Sequence, residues 1–223
     1  MRSAVCSLAL LLAFGCDSGT AEGDLVVRVK SDLQPGFEFT EIRTTLVGVP
    51  TSSDGTQIVR ALTSEHSAYL SGREVATFRD VIANEPVVQV QVMAGETVLL
   101  ERNAVAPLGA GATVVTILAT RDCRATTCPS VTGAATATEC VGGACVPRTC
   151  TPEHPGTCPP PPCSRDSDCD NGGIECAQGR CTDGRCLLAA DESLCGADQH
   201  CALDLGCVGS APLDDGGIPD AAP

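Results

Sequence analysis

The 223-residue chain has no tryptophan, one tyrosine (Tyr69) and four phenylalanines. Rings that stack on sugar faces or anchor interface hot spots are nearly absent, which argues against a lectin-like role. Lysine is as scarce. Lys30 is the only one among 14 basic residues, which face 28 acidic ones for a formal net charge of −14. Such a chain repels phosphate backbones, so nucleic acid is not an expected partner, and the acidity serves solubility. Local catalytic motifs are missing too: there is no H-E-x-x-H, G-x-S-x-G, Walker loop or G-x-G-x-x-G. The three histidines are scattered. His66 follows Glu65 in an expected β-loop, His154 sits between Glu153 and Pro155, and His200 precedes Cys201. They read as solvated loop residues rather than general bases. No catalytic residue and no cofactor are expected.

No apolar run approaches the roughly twenty residues of a membrane-spanning helix. The longest, residues 4–14, is broken only by Ser7 and follows Arg2, and it reads as the apolar middle of a signal peptide covering residues 1–15. Ala13-Phe14-Gly15 is an acceptable site for ordinary secretion. The same stretch, "AFGC", resembles the lipobox of bacterial lipoproteins, although that family usually has Leu where Ala13 stands and a small residue where Phe14 stands. The resemblance implies that Cys16 becomes the lipidated first residue of the mature chain, and that acyl chains attach it to the membrane effectively permanently. Cysteine parity agrees. Of 16 cysteines, Cys6 leaves with the leader and Cys16 takes the lipid, so 14 remain, an even number suited to an oxidising compartment. The expected location is the cell envelope, at the periplasmic face or the cell surface. Secretion with an unpaired Cys16 is the alternative.

Residues 16–23 read as the lipidated N-terminus and a tether, and residues 24–121 as a β-domain. Leu25, Val27 and Val29 alternate with Val26, Arg28 and Lys30, and "VVQVQV" sets Val88, Val90 and Val92 opposite Gln89 and Gln91. This is the period of half-buried strands. Further strands are expected at 37–47, 57–62, 68–70, 75–81, 97–105 and 113–120, separated by Gly, Pro, Asn and Asp breaks. The apolar parity changes near Thr40, where a bulge or bend is expected. The fold class is therefore mainly β: an N-terminal antiparallel β-sandwich, immunoglobulin-like in architecture and without an inter-sheet disulfide, followed by small disulfide-rich repeats with little regular secondary structure. "DLVVRVKSDLQPGFEFTEIRTTL" is similar to the first part of exported β-domains common in lipoproteins of myxobacteria, which implies an envelope protein and no catalytic motif.

Residues 122–207 hold Cys123, Cys128, Cys140, Cys145, Cys150, Cys158, Cys163, Cys169, Cys176, Cys181, Cys186, Cys195, Cys201 and Cys207. A segment so rich in Gly, Pro and Cys cannot bury an adequate apolar core and must be stapled. "ECVGGAC" aligns with "ECAQGRC", so Cys140, Cys145 and Cys150 recur 36 residues later as Cys176, Cys181 and Cys186. Cys158, Cys163 and Cys169 then match Cys195, Cys201 and Cys207. This gives two six-cysteine modules, 140–169 and 176–207, plus the pair Cys123/Cys128, with the pairing left open. "DSDCDNGGIECAQGRC" also resembles cysteine-rich repeats of secreted and surface proteins, including those of myxobacteria. Zinc is the rival use for C-x4-C pairs such as Cys140/Cys145 and Cys176/Cys181, but exported thiolates are oxidised before they are metallated.

Asp166, Asp168 and Asp170, followed by Asn171-Gly172, match the start of a calcium loop. The match then fails, with Asn171 at the glycine place and Ala177 where a bidentate Glu belongs. An ordinary acidic turn is the simpler reading. "PPPP" at residues 159–162 is a stiff spacer, and the acidic tail, 208–223, is expected to be disordered. The expected function is noncatalytic: a lipid-anchored envelope protein presenting the sandwich and repeats to a protein or matrix partner. A protease-inhibitor-like module with its reactive loop at 151–157 or 187–194 is the alternative, and an envelope hydrolase the third reading.

Overall fold

The computed structural model describes residues 21–49, 55–109, 111–129 and 136–209. The leader, Cys16, most of the tether and the tail from residue 210 lie outside the described residues. The described residues up to Ala119 build a two-sheet sandwich. Strand β1 (Glu22–Ser31) lies between β4 (Arg73–Ile82) and β7 (Thr113–Ala119) in one sheet. The second sheet runs β3 (Thr56–Arg60), β2 (Glu41–Val47), β5 (Val87–Ala94), β6 (Thr97–Val105). Every pair is antiparallel except β1 with β7, which runs parallel from Leu25↔Thr113 to Ser31↔Ala119. Leu25, Val27 and Val29 from one sheet and Ile42, Val88, Val90 and Val92 from the other share one core, as the period-two alternation requires.

Three local expectations are corrected. Residues 68–70 do not form a strand; they lie in helix α1 (His66–Ser71), closed by Gly72 at φ 110°. The strand period offered only three residues there. The helix instead brings Tyr69 onto Phe39, edge to face at 5.2 Å, with both rings fully buried. Residues 37–40 precede β2 as a turn around Gly36, closed by Gly36 N–H donating to Phe39 O, which accounts for the parity change near Thr40. Glu22 and Gly23, placed in the tether, begin β1.

Strand β7 is buried on both faces from Val115 to Ala119. Ile117 faces the sandwich core, whereas Leu118 packs with Val141, Val146 and Cys150 of the cysteine-rich region. That region is three hairpins: β8 (Ala137–Val141) with β9 (Ala144–Pro147), β10 (Ala177–Thr182) with β11 (Arg185–Ala190), and β12 (Gln199–Ala202) with β13 (Gly206–Gly209). The first two close through two-residue turns at positive φ, Gly142-Gly143 and Asp183-Gly184, the geometry that matches strand twist. Val208 and Gly209, assigned to the tail, belong to β13.

All fourteen cysteines from Cys123 to Cys207 are bridged, and a single rule orders six of the seven bonds. Each hairpin places two cysteines directly opposite one another: Cys140↔Cys145, Cys181↔Cys186 and Cys201↔Cys207. Each of these bonds back to an earlier cysteine in the same order. The pairs are Cys123–Cys140 and Cys128–Cys145, then Cys163–Cys181 and Cys169–Cys186, then Cys176–Cys201 and Cys195–Cys207. Cys150–Cys158 closes a local loop. The bonds therefore cut across the modules 140–169 and 176–207. Cys123/Cys128 is the first half of the first unit, and Cys163 and Cys169 belong to the second hairpin. The letter match that aligned Cys140/Cys145 with Cys176/Cys181 misleads, because the hairpin turn equivalent to Gly142-Gly143 is Asp183-Gly184, between Cys181 and Cys186.

Candidate functional site

A line of buried polar groups holds the cysteine-rich region against the sandwich. The chain leaving β1 is buried from Ser31 through Pro35, and its polar side chains face backbone from far along the sequence. Asp32 Oδ1 accepts from Arg121 N at 2.7 Å, and Oδ2 accepts from Leu188 N at 3.4 Å. Burial is the largest influence on this carboxyl and raises its pKa, against the lowering effect of the Arg121 contacts. Gln34 Nε2 donates to Cys201 O at 2.7 Å, while its Oε1 accepts from Leu203 N at 2.9 Å. Beside them Glu38 bonds Arg121 and Arg124, and Phe37 stacks on His200 with ring centroids 5.0 Å apart.

At the other end, Arg102 on β6 is only 3 % exposed and shares its strand parity with core-facing Leu100 and Ala104. Its Nη1 donates to Cys140 O at 3.1 Å and its Nη2 to Cys150 O. Burial pulls its pKa down to about 10, partly offset by nearby Glu139, so the guanidinium stays charged at neutral pH. Glu139, also buried, accepts from Asn103 N at 2.7 Å and pairs with Arg148 at 3.1 Å. The backbone bond from Val105 N to Arg148 O, 3.0 Å, extends this contact along β6 and covers part of that edge strand.

Two cavities lie along this junction. One, of about 340 Å³, is lined by Leu99, Arg102, Leu118, Arg124 and Thr138 among others. The second, of about 270 Å³, lies over the outward face of β7 and is the more apolar, with Leu118, Val141 and the Pro152, Pro155 and Pro159 rings in its wall. Arg185 and Asp183 also line it. Asp183 is paired with Lys30 Nζ at 2.7 Å. Arg185 is 7 % exposed and makes no ion pair among the described residues; its single hydrogen bond there runs from Nη2 to Pro159 O at 3.2 Å. Burial lowers its pKa. Arg102 and Arg185 are close enough to repel one another.

The residues singled out from sequence fall elsewhere. Asp168 and Asp170 spend their carboxylates on local turns, and Asp166 spends its own on strand β10. Asp166 accepts from Cys181 N and pairs with Arg180, Asp168 accepts from Ser164 N and pairs with Arg165, and Asp170 accepts from Gly172 N. Backbone hydrogen bonds hold the first two carboxyls below the usual range. The ligand groups that do converge among the described residues are Cys163/Cys169/Cys186 and Cys176/Cys195/Cys207, all in disulfides. His66 is not a loop residue. It starts α1 with its Nε2 buried and unpartnered, and burial lowers its pKa. His154 contacts Thr151 at 3.3 Å. The gap 187–194 is filled by part of β11 and a 3-10 turn (Glu192–Leu194), with Leu187 fully buried, so it is not a free loop.

Sequence reasoning missed Arg102, Arg185, Asp32 and Gln34. A signal existed for Arg102, a charge at apolar parity in "LLERNA", and none for Arg185, whose burial comes from the Pro159 segment lying over a hairpin. No helix among the described residues is long and apolar enough to cross a membrane. No protein-family model, curated protein or solved structure matches the chain.

Proposed function

We propose that the protein is a noncatalytic, lipid-anchored component of the cell envelope that binds its partner through the junction of sandwich and stapled repeats. The observation carrying this reading is the use of every cysteine from Cys123 to Cys207 in seven bridges. Such a framework persists in oxidising surroundings. It supports an exported chain, and the even count it consumes supports lipid, rather than sulfur, as the partner of Cys16. The noncatalytic reading draws support from what the perturbed groups do: Asp32 and Arg102 each bond backbone groups that tie the two parts together.

The test is membrane fractionation of wild type and Cys16→Ser, with intact mass of the mature N-terminus. Wild type is expected in the membrane fraction with acyl mass on residue 16, and the variant in the soluble envelope fraction. A free thiol at Cys16, or an uncut leader on a cytosolic chain, overturns the anchoring.

A further inference from the structure

The cavity over β7 combines features that point to one ligand chemistry. Its walls are aliphatic and proline rings, and the single arginine on it is buried without a counter-charge among the described residues. Taking a guanidinium out of water without a carboxylate is unfavourable, and such groups are ordinarily paired. Here the remaining donors of Arg185, Nε and Nη1, bond no protein group among the described residues and keep accessible surface, so they are open to a ligand. The acid nearest by sequence, Asp183, is engaged by Lys30. Arg185 is thus the one charge on the cavity wall with no ion-pair partner among the described residues, a fixed point of attraction for an anion. A free inorganic anion would leave the aliphatic walls unused.

We propose that this cavity binds a small monocarboxylate with a compact apolar body, its carboxylate on Arg185 and its body against Leu118, Val141 and the proline rings. The planar fork of arginine matches a carboxylate through two parallel N–H donors. The cavity, about 270 Å³ and open to solvent on one side, has room for a ring-sized acid. The Cys150–Cys158 bridge, both of whose cysteines line the wall, keeps the niche preformed.

This assignment deepens the reading of the protein as a binding protein and does not depend on its anchoring. The experiment is a calorimetric or NMR titration of the full-length oxidised chain with cyclohexanecarboxylate, cyclohexanecarboxamide and acetate. The acid should bind saturably, and the amide and acetate about tenfold or more weaker, because the first lacks the charge and the second the apolar body. Arg185→Gln should weaken the acid by about tenfold or more while leaving the weak amide binding unchanged. Pro155→Trp alters an exposed rim residue and should block all three, which keeps the test valid if Arg185→Gln fails to hold its bridges. No saturable binding of the acid, equal affinity for acid and amide, or binding undiminished in both variants overturns the proposal. Because the titration needs no membrane, its failure is separate from a failure of Cys16 lipidation.

Discussion

Gln34 shows how much of the junction rests on single side chains. Its amide satisfies one backbone carbonyl and one backbone N–H inside a buried contact more than 160 residues away in sequence. Gln34→Leu keeps the volume and strands both groups, so it should destabilise the oxidised protein by roughly 2–4 kcal/mol in urea unfolding. Asp32 gives a pH signature. Burial raises its folded-state pKa, so the native state holds that proton more tightly than the unfolded chain. Its contribution to stability is therefore full below the ordinary carboxylate pKa and is lost as pH rises through the raised value. Asp166 and Asp168, held low, act the opposite way, and theirs is lost as pH falls through their lowered values. The difference in stability between wild type and Asp32→Asn, followed across the acid range, should carry only the Asp32 slope. A difference independent of pH would contradict it.

Among the elements, the hairpins do the organising, because opposing cysteines in register deliver two sulfurs to two earlier partners at once. The second hairpin depends on close approach at Gly179 of β10, where an added Cβ would run into Asp170 O and stand 2.6 Å from Cys169 O and 2.7 Å from Cys169 Cβ. Gly179→Ala should therefore displace the turn that carries Cys169 and lower the yield of the Cys169–Cys186 bond on oxidative refolding, read by nonreducing peptide mapping. Retention of the full wild-type yield would show that the turn can yield without penalty. The Cys123–Cys140 bond sits elsewhere in the packing. Cys123 belongs to the sandwich core and Cys140 packs against it, so this bridge ties the first hairpin directly to the β-domain.

For the whole molecule, stability outside the sandwich comes from cross-links more than from apolar burial. The second packing cluster has three aliphatic side chains and Cys150 at its centre, and the third is half cysteine. In the chain-entropy picture, closing the 8-residue separation of Cys150–Cys158 is worth about 2.5 kcal/mol, and the 25-residue separation of Cys176–Cys201 about 3.5 kcal/mol. Replacing each pair by alanine should thus cost more at Cys176/Cys201, and that variant should also loosen the Gln34 contact, since Cys201 O is its acceptor. Thermal unfolding of the two double variants gives the comparison. Full reduction should leave the sandwich signals of β1, β2, β5 and β6 largely intact while the hairpins unfold, as amide exchange would record.

Much of this architecture follows from local pattern. Alternation of Leu25, Val27 and Val29, and of Val88, Val90 and Val92, sets which face of a strand is buried whatever it pairs with. The density of cysteine likewise requires cross-links, because a Gly- and Pro-rich chain has too little apolar surface to hold itself together. What sequence left open is what depends on distant chain: the parallel pairing of β1 with β7, the helix at Tyr69, the order of the bridges and the burial of Arg185. Register between hairpin cysteines is set by turn geometry that a letter alignment does not see, and the 36-residue match went to the wrong sulfurs for that reason. The cavity exists only because Leu118 on the far face of β7, Val141 of a hairpin and a proline run meet there, and no periodicity along one segment encodes a space between three.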